Sequence, residues 1–460
     1  MTTSPQSFQA VDPASGEILA SYPSPAPEVV WSSVENSHRS QVDWGRRTVA
    51  ERASFFPALA SLLHERKDRY GLLMTREMGK PLTQAIGEVE KCAWVCDYYA
   101  EHAEAFLAAV QADTDATISY WTYRPLGLVL GIMPWNFPFW QAMRFAVPAI
   151  VAGNAALLKH APNVPGCADA LDELFRDAGF PDGIFRNLFV DLETTGALID
   201  HRHVRAVSLT GSVRAGRAVA ARAGHALKPC VLELGGSDPA LVLADADLDL
   251  AVSSCVQGRM RNAGQSCIAT KRFVVVESVR ADFEQKLLES VTAIRMGDPM
   301  DPTSDLGPMA RLDLRDELHS QVARSVEAGA RLVLGGAVPQ RPGAWYPPTI
   351  LADVAAGMPA YSEELFGPVA SVLPVADEAE AIRVANDTDF GLGASIFTAD
   401  VERGERIAAD AIEAGNCFVN GIVKSDPRLP FGGIKDSGFG RELSPLGILE
   451  FTNTKTVWVR

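Results

Sequence analysis

Val204-Arg205-Ala206-Val207-Ser208-Leu209-Thr210-Gly211-Ser212-Val213-Arg214-Ala215-Gly216 carries an apolar, β-rich run into a glycine-bounded turn and then into a helix. Residues 204–209 read as a buried strand, 214–223 as a helix, and 230–232 as the next buried strand. Strand, helix and strand in that order form the crossover unit of a parallel sheet. The same texture extends to both sides. Residues 126–132, 155–158 and 240–243 are further short apolar runs, with helical periodicity at 168–177. The expectation is an α/β fold built on a doubly wound parallel sheet.

A second set of elements follows Cys267. Residues 273–276, 332–334, 369–373, 395–398 and 417–419 read as strands, and 281–293, 312–328, 378–385 and 401–414 as helices. These make a second α/β unit. Long helical periodicity covers 46–110, and 454–459 reads as a terminal strand with 114–123 as a companion hairpin. The expected division is residues 1–112 with 127–235, then 236–440, and an arm of 113–126 with 441–460.

With 460 residues, 47% of them hydrophobic, the chain has material for two or three cores. Its formal charge of −15 argues against nucleic acid, whose phosphates need clustered Lys and Arg. An anionic substrate would also be repelled at long range, so local cations would have to recover that cost. Seven scattered cysteines form no disulfide framework and suit a reducing cytoplasm. Cys92 and Cys96 read as small buried residues, and no metal site is expected. Residues 1–13 have the pattern of neither a secretory signal nor a transit peptide. The most apolar stretch, 126–158, holds Arg144 as its only charge and is broken by Pro134, Asn136, Pro138, Pro148 and Asn154, so no membrane span is expected.

Two segments carry marked chemistry. Cys267 ends the run Asn262-Ala263-Gly264-Gln265-Ser266-Cys267, and Glu233 stands between apolar residues in Leu232-Glu233-Leu234-Gly235-Gly236. A thiol can attack a carbonyl, and a semi-buried carboxylate can activate water to release the acyl group. In Pro134-Trp135-Asn136-Phe137-Pro138, the Asn136 amide could stabilise an oxyanion, or the loop could simply pack two aromatics. Gly211 and Ser212 open a helix whose free N–H groups suit a phosphate, although an ordinary strand-to-helix turn has the same form. Lys159 ends an apolar strand at the edge where α/β sheets bind ligands. Glu364 precedes Leu365-Phe366-Gly367-Pro368. Gly-x-Ser-x-Gly is absent, the setting of Cys267 is unlike papain-type or caspase-type sequences, and no histidine is marked as its base. His201 and His203 read as a surface loop.

Taken in order, these segments resemble the aldehyde dehydrogenase superfamily over essentially the whole chain. The resemblance includes Pro430-Phe431-Gly432-Gly433, Lys435, Ser437-Gly438 and Gly440-Arg441-Glu442. It implies a Rossmann-type dinucleotide-binding domain, a catalytic α/β domain and a small β oligomerisation arm, assembled as a homodimer or homotetramer. It further implies that Cys267 is the nucleophile, that Asn136 and the Cys267 N–H hold the oxyanion, and that Glu233 activates water. Trp135, Lys159, Pro162, Gly211, Ser212, Glu364 and Phe366 would line the coenzyme site. Pro162 stands where a side chain often discriminates the coenzyme 2′-phosphate, and proline offers it neither repulsion nor a bond. The expectation is NAD, with some NADP use.

Within the superfamily the chain is similar to short bacterial succinate-semialdehyde dehydrogenases. Arg144 and Arg261 occupy positions where guanidinium groups bind a substrate carboxylate in such enzymes, and Ser425 could add a hydroxyl. The expected reaction is oxidation of succinate semialdehyde to succinate. Alternatives are a broader enzyme for glutarate semialdehyde or medium-chain aldehydes, a cysteine hydrolase, and a catalytically idle binding protein. Ala269, two residues after Cys267, offers no second thiol for the redox-switch disulfide that some relatives form there.

Overall fold

The computed structural model describes residues 7–460. The expectation about a leader in 1–13 therefore falls partly outside the described residues. A six-stranded sheet is ordered Gly438–Phe439, Cys230–Glu233, Val204–Thr210, Leu128–Met133, Ala155–His160, Phe185–Asn187, and all but the first strand are parallel. Strand succession reverses at Leu128–Met133, which lies between Val204–Thr210 and Ala155–His160. Such a reversal opens a crevice at the carboxyl ends of the strands, where α/β sheets take ligands. The helix Pro138–Val151 lies against this sheet with all of its residues buried. Its approach is close: a Cβ on Gly131 would stand 2.1 Å from the Phe145 ring, so the central strand needs glycine there.

The second sheet has seven strands, ordered Arg331–Leu334, Thr349–Ala352, Val369–Val375, Thr270–Val276, Asp238–Val242, Gly393–Phe397, Asn416–Val419. It too is parallel apart from Arg331–Leu334. Residues 234–237 are all that separate the first sheet's Cys230–Glu233 from the second sheet's Asp238–Val242. This short crossing sets the carboxyl edge of one sheet beside the starting edge of the other. Cys267 stands just before Thr270–Val276 and so falls at the same junction.

Most of the expected elements are present. The strands Phe185–Asn187, Thr349–Ala352 and Gly438–Phe439 were not anticipated. The expected boundary at residue 440 needs correction. Gly438–Phe439 pairs antiparallel with Cys230–Glu233, and Phe431, Leu443, Ile448 and Phe451 lie in the first sheet's core. Burial of those apolar side chains draws the chain back to the first sheet before the arm begins. The arm is Thr452–Val459 paired with Ile118–Pro125, with Val110–Gln111 on the other side. Among the described residues, no helix is long and apolar enough to cross a membrane.

Candidate active site

The cysteine loop is held in an unusual backbone shape. Asn262, Ala263 and Gly264 have φ of 56°, 51° and 72°. The left-handed region costs a non-glycine residue about 1–2 kcal/mol, so the loop must be fastened by contacts. The Asn262 amide donates to Asn136 O at 2.8 Å and to Gln265 O at 3.1 Å. The Gln265 amide donates back to Asn262 O at 3.1 Å, and Ala310 N–H donates to Gln265 Oε1 at 2.9 Å. Gly264 cannot change: a Cβ there would stand 2.3 Å from Gly367 O. Buried Arg259 ties both carbonyls together, donating to Gly264 O at 2.5 Å and Gly367 O at 2.6 Å.

This loop sets Asn136 beside the thiol's own segment. Asn136 Nδ2 donates to Gln265 O at 3.1 Å, leaving a second amide proton uncommitted. Buried Lys271 donates to Cys267 O at 2.8 Å and Ser266 O at 3.0 Å, and it pairs with Glu364 at 3.3 Å. One ammonium thus connects the cysteine segment to the Glu364 turn, whose carboxylate accepts Gly236 N–H at 3.1 Å. Burial pushes the Cys267 thiol up to about 12, against the opposing pull of Arg144 and Lys271.

Glu233 is almost fully buried, and neither carboxylate oxygen has a hydrogen-bond partner among the described residues. Desolvation holds its carboxyl well above the usual range; Arg144 opposes the shift and Glu442 adds to it. Arg144 itself does not sit free. It forms an ion pair with buried Glu442, reaches Thr210 Oγ1 at 3.4 Å, and lies 4.7 Å from the Phe431 ring centroid. The guanidinium expected to bind a substrate carboxylate is thus already paired: a buried guanidinium requires a counter-charge, and Glu442 supplies it.

Two cavities meet at Cys267 and Gln141. The larger, about 390 Å³, brings together Trp135, Asn136, Gly211, Ser212, Cys267, Glu364 and Phe366. Trp135 and Phe366 meet edge to face at 5.9 Å. The smaller, about 80 Å³, is bordered by Arg144, Arg261, Ser425 and Cys267, together with Lys91, Trp140 and Phe431. Lys159 ends Ala155–His160 beside Ile132, buried and outside both linings; Pro162 is exposed in the turn that follows.

Sequence reasoning missed Lys271, Lys91 and the partner role of Glu442. Two consecutive cations, Lys271 and Arg272, at the head of a strand that continues as Phe273-Val274-Val275-Val276 were the available signal for Lys271. Lys91 is the only Lys or Arg of the helix Leu82–Phe106, but nothing local marked it as facing a cavity. Among the other singled-out groups, Cys92 and Cys96 are fully buried, and His203 stacks on His38 with ring centroids 3.7 Å apart.

Comparison with known proteins agrees with this geometry. The sequence pattern of the aldehyde dehydrogenase family matches residues 1–457. A succinate semialdehyde dehydrogenase of Escherichia coli, named for NAD(P)+, is 47% identical, covering 100% of this chain and 99% of its own. A succinate-semialdehyde dehydrogenase of Mycobacterium bovis, named for NADP+, is 48% identical, covering 98% of this chain and 99% of its own. The crystal structure of succinic semialdehyde dehydrogenase from Streptococcus pyogenes in complex with NADP+ superposes with a TM-score of 0.96 at 37% identity, covering 98% and 99% of the two chains. These coenzyme names do not support the expected NAD preference.

Proposed function

The chain belongs to the aldehyde dehydrogenase family, and from that premise we propose that it oxidises succinate semialdehyde to succinate with NAD or NADP as hydride acceptor. The observation that carries this reading is the position of Cys267 where a large cavity meets a smaller one bordered by cations.

The larger cavity fits a dinucleotide. A Cβ on Gly211 would have its nearest neighbour at 4.0 Å, so a pyrophosphate can approach the backbone, and Ser212 caps the helix Val213–His225. On this reading Gly211, Ser212 and Trp135 hold the phosphates and Glu364 the nicotinamide ribose, against Phe366. Lys159 takes the adenine ribose, with Pro162 beside it. When bound, the coenzyme supplies the hydride acceptor. Residues 1–112 and 127–235 would then form the coenzyme domain and 236–440 the catalytic domain, apart from the stretch that returns to the first sheet.

Cys267 Sγ, as the thiolate, bonds to the aldehyde carbon, and the carbonyl electron pair moves onto oxygen. The uncommitted Asn136 amide proton and the Cys267 N–H receive that oxyanion. Loss of hydride leaves an acyl group on Cys267 as a thioester. Ionised Glu233 takes a proton from water while the water oxygen adds to the thioester carbon; the C–S bond then breaks and the acid departs. The raised pKa of Glu233 makes it a stronger base once ionised. Arg261, exposed and without an acid partner among the described residues, would meet the far carboxylate together with Ser425, while Arg144 lends charge from behind its pair with Glu442. All seven cysteines are unpaired, which supports a reducing compartment. The uncovered edge of Thr452–Val459 supports a homo-oligomer joined through the arm.

The test is kcat/KM for succinate semialdehyde against butanal, each with NAD and NADP. A preference of about 30-fold or more for the semialdehyde is expected, lost in Arg261→Gln, and Cys267→Ala should be inactive. Equal efficiency with the two aldehydes would sink the substrate assignment.

A further inference from the structure

Lys91 stands on the helix Leu82–Phe106 and borders the smaller cavity. Its Nζ donates to Ser425 Oγ at 2.6 Å and lies 4.1 Å from the Trp140 ring centroid. A hydroxyl and an aromatic face orient an ammonium without neutralising it. The acids around it are committed elsewhere. Glu88, one turn back on the same helix, pairs with buried Lys80 and accepts the N–H groups of Phe139 and Trp140. Asp426, next to Ser425, is held by Arg428 at 2.7 Å.

The remaining groups that face it do not supply a counter-charge. Its helix neighbour Cys92 is a fully buried thiol whose ionisation is pushed well up by burial. Arg144 comes from the helix Pro138–Val151 and is already paired with Glu442. Arg261 comes from the turn ahead of Cys267, and Lys424 from the loop that carries Ser425. A partly buried ammonium with no carboxylate of its own among the described residues is costly unless an anion completes the site. The cavity it borders reaches Cys267, so an aldehyde bonded at the thiol could extend its far end toward this cation.

We infer that Lys91 is a specificity-determining residue: held by Ser425 and Trp140, it grips the far carboxylate of an oxo-acid substrate together with Arg261, and its charge sets the preference for anionic over neutral aldehydes. The inference rests on the proposed function and names a residue of that same substrate site. Burial, reinforced by Arg144 and Arg261, brings the Lys91 amine down to about 7. The free enzyme therefore loses this charge within the working pH range. A substrate carboxylate, with an ordinary pKa of about 4.3, stays ionised throughout.

The measurement is the ratio of kcat/KM for succinate semialdehyde to kcat/KM for butanal, taken from about pH 6 to 9. The ratio cancels titrations common to both substrates, including those of Cys267 and Glu233. In the unmodified enzyme it should fall as pH rises, with a midpoint near 7. Lys91→Met should give a ratio lower by about 30-fold at the acid end and flat with pH, and Lys91→Arg one that is high and flat. The arginine variant decides the matter if the methionine variant does not fold. A preference that stays pH-dependent in Lys91→Arg, or undiminished in Lys91→Met, overturns the inference and leaves the proposed function standing. Absence of any preference in the unmodified enzyme overturns both.

Discussion

A nucleophile whose thiol is pushed up to about 12 rests in the protonated form in the free enzyme. For a raised acid pKa, the reactive anion gains with every step toward alkaline pH. Alkylation of Cys267 by iodoacetamide should therefore accelerate about ten-fold per pH unit across the neutral and mildly alkaline range. A rate that levels off below pH 9 would show a thiolate already formed. Cys267, Glu233 and Asn136 were legible because each stands in a short stretch of distinctive composition. Lys91 and Lys271 were not, since what matters in them is the direction of a long side chain, and tertiary packing decides that. The pairing of Arg144 with Glu442 joins residues far apart in the chain, and no local pattern announces it.

At the scale of elements, the helix Pro138–Val151 carries Trp140, Gln141 and Arg144 to the cavities, and its first turn is fixed from outside. Glu88 accepts Phe139 N–H and Trp140 N–H, each at 3.0 Å, and neutralises buried Lys80. Glu88→Ala would strand a buried ammonium and two N–H groups, and it should cost about 3–5 kcal/mol of stability. Urea unfolding measures this, and a midpoint close to that of the unmodified protein would refute it. The parallel strands were readable because burial on both faces writes them as unbroken apolar runs. Phe185–Asn187 and Gly438–Phe439 were too short to show any period, and Thr349–Ala352 hides behind Pro347 and Pro348. Their places in the sheets are set by neighbours rather than by their own residues.

At the scale of the whole molecule, Thr452–Val459 has one backbone edge without a partner strand among the described residues, and Trp458 is 50% exposed on it. Edges of this kind invite pairing with another chain. Ending the chain at Phe451 should leave both large sheets intact and yield a species of lower mass by light scattering; an unchanged mass would place the subunit contact elsewhere. The return of the chain to its first sheet has a different consequence, one of timing. Glu442, the counter-charge of Arg144, and Gly438–Phe439, the strand that flanks Glu233, leave the ribosome well after Cys267 and Glu233 do. Earlier segments can collapse during synthesis, but contacts between such distant parts of a chain form late. A nascent chain therefore carries its reactive thiol well before it carries the residues that complete the surroundings of its base, and competence waits for that later stretch.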